Sequence, residues 1–269
     1  MSVMPENPQT HPETQIEVKD LTMAYGSFVV MRDLNFTIAK QDIFVIMGGS
    51  GCGKSTLLRH LIGLREPAKG TIWYKNQNFS TASEQDRLAL IRKFGVMYQS
   101  GALWSSLTLA ENIALPLEET KNIPEKTIKD IVSYKLALVG LSGFENYYPS
   151  EVSGGMNKRA GIARAMALDP EILFLDEPGA GLDPLSSRRL DDLILSLRDS
   201  LQSTIVIVTH ELASIFTVAN NSIFLDTNTK TMGATGHPGE LAKSSDNPTV
   251  RLFLNRGEDP EKKSNHSDS

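Results

Sequence analysis

FVIMGGSGCGKST, residues 44–56, is the stretch from which the rest of the chain is read. Four consecutive apolar residues, Phe44 to Met47, mark a strand buried on both faces, as in a sheet covered by helices. The strand gives way to Gly48-Gly49-Ser50-Gly51-Cys52-Gly53, and Lys54-Ser55-Thr56 then opens the helical pattern KSTLLRHLIGL. Strand, glycine loop and helix are the start of an α/β unit. The run fits GxxxxGK[ST], in which glycines let successive backbone N–H groups close on phosphate oxygens. The helix start adds its dipole to the same anion. Gly48 to Thr56 is therefore expected to cradle a nucleoside triphosphate, with Lys54 reaching the β- and γ-phosphates and Ser55 ligating Mg²⁺.

Upstream, IEVKDLTMAYG from Ile16 and LNFTIAKQDIF read as strands, and residues 1–15 as a flexible leader. Downstream, TIWYKNQNF is a candidate strand pair and FGVMYQ a further strand. From Leu107 to Leu141 apolar residues recur at helical spacing, which predicts a mainly helical subdomain, set at about residues 100–168. The α/β pattern resumes at EILFLDEP, followed by a helix from about Pro184 to Leu201, a strand at TIVIVTH, a helix at ELASIFTVA and a strand at SIFLD. Polar, charged residues 256–269 are expected to be a disordered tail.

Ile172-Leu173-Phe174-Leu175-Asp176-Glu177 sets two carboxylates at the end of a buried strand, the edge where α/β sheets bind ligands. Asp176 is expected to hold the Mg²⁺ shell, and Glu177 to polarise a water attacking the γ-phosphate. The bland alternative is a strand ending in a solvated acidic turn. Val152-Ser153-Gly154-Gly155-Met156 precedes the helix NKRAGIARAMAL, so Ser153, Gly154 and Gly155 make a second anion-binding helix start, or a simple cap.

The 269 residues carry 40% hydrophobic and 22% charged side chains and a formal net charge of −5, with a pI near 5.6. That balance argues against a nucleic-acid partner, which calls for a basic face. The single cysteine, Cys52, excludes an internal disulfide and a cysteine-based zinc site and fits a reducing compartment. MSVMPENPQTHPETQ lacks the apolar core of a signal peptide, and no apolar run is long enough to span a bilayer. A cytoplasmic place is expected, with any membrane link made through a partner.

From Ile16 to about Leu254 the chain resembles the nucleotide-binding subunits of ABC transporters. The resemblance implies a P-loop NTPase core with an antiparallel β subdomain and a helical subdomain, over residues 16–255, hydrolysing ATP with Mg²⁺. It implies a head-to-tail dimer in which ATP lies between the phosphate loop of one copy and Ser153-Gly154-Gly155 of the other. Tyr25 falls where that family stacks a ring on adenine, or is a core aromatic. Gln99 resembles the loop that links Mg²⁺ and water to the membrane subunit, or is a turn residue. Asp183 resembles the loop that crosses the dimer, or is a cap before Pro184. His210 resembles the histidine that contacts the γ-phosphate. Met156 departs from the family's usual Gln, which puts that side chain's polar contact across the dimer in doubt.

SGGMNKRAGIARAMALDPEILFLDEPGAGLDP, with YQSGALWSSLTLAENIALPL, is similar to the ATPases of Mce-type lipid transport systems. That implies a place on the cytoplasmic face of the inner membrane, under integral membrane permease subunits, with an Mce-type substrate-binding component and a STAS-type regulatory subunit. The cargo implied is phospholipid moved between inner and outer membranes, which maintains outer-membrane lipid asymmetry. The SGAL stretch would meet the permease, unless Leu103, Trp104 and Leu107 are core residues. DNPTVRLFLNR, 246–256, either leads to a tail reaching the neighbouring ATPase or is a terminal helix on its own domain. Cys52 is either a filler whose N–H does the work or a thiol made reactive at a helix start. The rival readings are an ABC ATPase for another cargo, amino acid or lipoprotein, and a soluble ABC ATPase outside transport.

Overall fold

The computed structural model describes residues 13–99, 101–120 and 123–256; most of the expected leader and tail, and Ser100, lie outside them. Two twelve-residue strands, β1 (Thr14–Tyr25) and β2 (Phe28–Ala39), form a hairpin turning at Gly26-Ser27, so Tyr25 and Phe28 face each other as cross-strand partners. The first strand begins two residues before the expected Ile16, with Gln15 buried. The fully buried β3 (Ile43–Gly48) runs into the phosphate-loop sequence and α1 (Lys54–Leu61). β4 (Lys69–Tyr74), two-residue β5 (Gln77–Asn78), α2 (Glu84–Ile91) and β6 (Phe94–Met97) follow. α3 (Leu109–Glu118), α4 (Glu125–Leu138) and α5 (Gly154–Ala165) then pack on one another. The chain continues through β7 (Ile172–Asp176), α6 (Pro184–Leu201), β8 (Thr204–Val208) and α7 (Leu212–Val218). It ends with β9 (Asn221–Asp226), β10 (Thr231–Gly236), α8 (Pro238–Ser244) and α9 (Pro248–Leu254).

The strands form an antiparallel sheet in the order β2-β1-β4-β5 and a six-stranded sheet in the order β10-β9-β3-β8-β7-β6. All but β10 are parallel in the second. Its strands are apolar throughout because both faces are covered, and alternate residues serve two cores. Val45, Met47, Leu173, Leu175 and Ile207 point to the helical side. Phe44, Ile46, Phe174 and Val206 point to the antiparallel sheet, where Leu21, Leu34 and Ile38 meet them. Strand order then places the C-terminal ends of β6, β7, β8 and β3 side by side. No helix among the described residues is long and apolar enough to cross a membrane.

Three elements had no reading in the sequence. α2 buries only Leu90, so its apolar stripe is thin. β10, TMGATG, is a half-buried edge strand without an apolar run, and α8 is seven residues long. The terminal α9 packs Val250 and Leu254 into its own domain.

Gly95 fixes how closely β6 approaches α5: a Cβ there would stand 2.2 Å from the Ala165 carbonyl oxygen and 2.9 Å from Pro170 Cγ. Backbone cannot yield as a flexible side chain does, so Gly95→Ala is expected to destabilise by about 2–3 kcal/mol. For a domain of this size that lowers Tm by roughly 4–12 °C. A calorimetric melt unchanged within a degree would mean that the strand and helix can part freely.

Candidate functional site

The four adjacent strand ends open onto a cleft of about 490 Å³. The phosphate loop forms one wall: Gly53 caps α1 with φ +97°, where a side chain would be strained and its Cβ would meet Val30 at 2.8 Å. Ser50, Gly51, Ser55 and Thr56 line the cleft. Lys54, nearly buried, donates from Nζ to the carbonyl oxygens of Gly48 and Gly49, 3.1 Å each. These two bonds hold the ammonium against the loop, within reach of an incoming anion. Cys52 packs beneath the loop, 1% exposed, and burial pushes its thiol up, against the lowered value that a reactive thiol needs. That favours the filler reading.

The opposite wall comes from β7 and β8. Ser55 Oγ donates to Asp176 Oδ1 over 3.3 Å, and burial raises the Asp176 carboxyl above its usual value. Glu177 adopts φ +49°, a left-handed conformation uncommon outside glycine, while its N–H donates to the Val208 carbonyl at 2.8 Å. Its Oε1 stands 2.8 Å from His210 Nδ1, and its Oε2 is buried without a hydrogen-bond partner among the described residues. A buried carboxylate oxygen left so calls for a partner from outside the chain. Gln99, just past β6, completes this wall.

At the far end lie Tyr25 and Phe28. The Arg65 guanidinium stands 3.7 Å above the centre of the Tyr25 ring, and the ring stays exposed at the mouth of the cleft. The Thr56 side chain, then Arg65, hold the Tyr25 phenol below its usual value. Phe28 and Arg65 were missed in the sequence. Aromatics flanking a two-residue turn were the available signal for the first; none marked the second.

Ser153, Gly154, Gly155 and Asp183 stand apart from this cleft. Ser153 caps α5, its Oγ accepting the Met156 N–H at 3.2 Å, and Asp183 caps α6 through the N–H groups of Leu185 and Ser186 at 3.0 Å. The two helix starts adjoin, since Gly155 lies against Leu182 and Ser186. Met156 packs on the helical-side core, so the side chain that departs from Gln is used within its own chain. Within one copy, then, Asp183 is a cap, and the Ser153 helix start does not line the cleft that holds the phosphate loop.

A phosphate loop, a strand-end Asp-Glu pair, an adjoining histidine and a detached Ser-Gly-Gly helix start define an ATP-binding cassette. The chain belongs to the ABC transporter family, whose model matches residues 31–180. It is 42% identical over 240 residues to the probable ribonucleotide transport ATP-binding protein mkl of Mycobacterium tuberculosis H37Rv, covering 89% of this chain and 66% of that one. It thus spans slightly under two thirds of that relative. It is 36% identical over 245 residues to the intermembrane phospholipid transport system ATP-binding protein MlaF of Haemophilus influenzae, covering 91% and 92%. To MlaF of Escherichia coli K12 it is 34% identical over 239 residues, covering 89% and 88%. Among solved structures it is similar to a dimeric ATP-binding cassette in a post-hydrolysis state bound to ADP and Pi (TM-score 0.74, 26% identity, 82% of this chain and 98% of that one). It is also similar to a part of the cbiONQ ABC transporter complex of Clostridium perfringens (TM-score 0.79, 26% identity, 91% and 97%).

Proposed function

We propose that this chain is the ATP-hydrolysing subunit of a membrane transporter, and that its cargo is phospholipid carried between inner and outer membranes, a traffic that maintains outer-membrane lipid asymmetry. The observation that carries the hydrolytic reading is the Glu177–His210 pair at 2.8 Å, set across the cleft from the phosphate loop. Lys54 and the loop amides hold the β- and γ-phosphates, Tyr25 stacks on adenine, Glu177 takes the proton of the attacking water, and His210 orients Glu177 and meets the γ-phosphate. Among the described residues no cluster of three or more His, Cys, Asp or Glu forms a metal cage. Ser55 and Asp176, with Gln99, are instead the few oxygen donors that suit Mg²⁺ shared with substrate phosphates. When bound, Mg²⁺ neutralises charge on those phosphates.

Two copies are required, since Ser153, Gly154 and Gly155 must come from a second chain and Asp183 crosses near them. The dimeric cassette bound to ADP and Pi supports this arrangement. A permease would seat in the groove between β6 and α3, where Trp104 is 63% exposed among Tyr98, Ala102, Pro116 and Leu168. Buried Asn112 pins that segment, accepting the Trp104 N–H at 2.7 Å and donating to the carbonyls of Trp104, Leu107 and Thr108. The chain would sit on the cytoplasmic face of the inner membrane, with an Mce-type component and a STAS-type subunit completing the complex.

The phospholipid reading rests on the two MlaF relatives, which this chain matches over most of both lengths. Ribonucleotide transport is the second reading, favoured by the higher identity to the mycobacterial relative. The test is purification with the native membrane partners, lipid analysis of the complex and reconstitution in vesicles. Bound phospholipid, and its ATP-driven transfer between vesicles, is expected; ATP-driven ribonucleotide uptake without lipid transfer would replace the first reading by the second.

A further inference from the structure

Lys158 lies on α5, five residues after Ser153, and is only 7% exposed. A lysine that deeply placed requires partners for its ammonium. Its Nζ donates to the carbonyl oxygen of Glu177 at 3.3 Å and to that of Ala180. Both carbonyls belong to the turn that leaves β7, and the Glu177 carbonyl also accepts the Ala180 N–H at 3.2 Å. The Glu177 amide is meanwhile held by Val208. The left-handed backbone of Glu177 is thus gripped from both sides, by strand β8 on its N–H and by the Ser153 helix on its carbonyl.

Burial pulls the Lys158 ammonium below the usual lysine range, and the carboxylates of Glu211 and Glu177 oppose that pull without cancelling it. Glu211 Oε2 accepts from Ser187 Oγ at 3.3 Å and stands 2.5 Å from where a Cβ of Gly179 would be, so the same turn is backed by a second charged side chain.

We propose that Lys158 is a positioning residue for ATP hydrolysis: by tying the Glu177–Ala180 turn to the helix that begins at Ser153, it makes the aim of the Glu177 carboxylate depend on that helix's engagement with a second copy's nucleotide. One ammonium then links the chain's half of one composite site to its half of the other. Small displacements suffice, because a carboxylate about 1 Å out of place costs on the order of 100-fold in rate. The proposal rests on the reading of Glu177 as the residue that activates water.

The test compares the full chain with Lys158→Met and Lys158→Arg, measuring kcat, KM for ATP, the Hill coefficient, affinity for a fluorescent ATP analogue, and Tm. Methionine keeps the length and removes the charge; it also takes a donor from the Glu177 and Ala180 carbonyls, so Tm is read beside kcat to separate lost stability from lost aim. Lys158→Met is expected to lose about 100-fold in kcat, with KM and analogue affinity within about 3-fold and the Hill coefficient falling towards one. Lys158→Arg, which keeps charge and donors, is expected to recover most of the rate. Wild-type kcat in Lys158→Met would overturn the proposal, as would an equal loss of kcat, affinity and Tm in both variants. Glu177→Gln, assayed alongside, separates the two ideas: full turnover there removes the Glu177 reading whatever Lys158 does.

Discussion

Replacing Glu177 by Gln is expected to leave ATP affinity within about twofold of wild type while turnover falls roughly 1000-fold, the scale of a lost general base. The substitution changes little else. Glutamine has the same shape, faces the same backbone strain at φ +49°, and its amide oxygen can still accept from His210 at the 2.8 Å position. What disappears is the carboxylate charge, including the buried Oε2 that no group in the described residues satisfies. If ATP closes the proposed pair of chains and its hydrolysis reopens them, the variant accumulates as an ATP-bound dimer. Size-exclusion chromatography with and without ATP, together with phosphate release, reads both effects. Undiminished phosphate release would take the proton-accepting role away from Glu177.

Gly154→Asp is expected to abolish hydrolysis to a similar degree, about 100-fold or more, by a different route. Gly154 opens α5 and a Cβ there meets nothing within 4 Å, so an aspartate fits without strain. Acidic residues are favoured in the first turn of a helix, and the fold should be as stable as wild type. The same carboxylate, however, takes the place of the anion that the free N–H groups of this helix start would receive, and repels polyphosphate. A single chain should therefore bind ATP normally and fail to dimerise on it. Near-normal turnover in Gly154→Asp would show that this helix start never meets a nucleotide.

Local sequence carried the architecture wherever a segment's environment was uniform. The all-apolar runs at Phe44–Met47 and Ile172–Leu175 are strands covered on both faces, and the glycine loop is legible because phosphate binding demands contiguous residues. The helix at 84–91 escaped because one buried leucine makes no periodic stripe, and the strand at 231–236 because an edge position tolerates TMGATG. At the site, Asp176, Glu177 and Lys54 lie within motifs that state their neighbours. Lys158 and Glu211 do not: in NKRAGIARAMAL a lysine reads as solvated, and only the packing of α5 against the turn after β7 buries its ammonium. Asp183 had both of its readings in the sequence, and the hydrogen bonds within one chain bear on the capping one alone.

The thiol under the phosphate loop gives this protein a native clock. Cys52 is its sole cysteine and is buried in the core that faces the antiparallel sheet. An alkylating reagent can reach it only when the loop or the core around it opens, so the rate of mass increase of the unaltered protein counts those openings. Occupancy by nucleotide should slow the count in proportion to the time the loop spends clamped, giving a label-free record of how often an empty cassette opens.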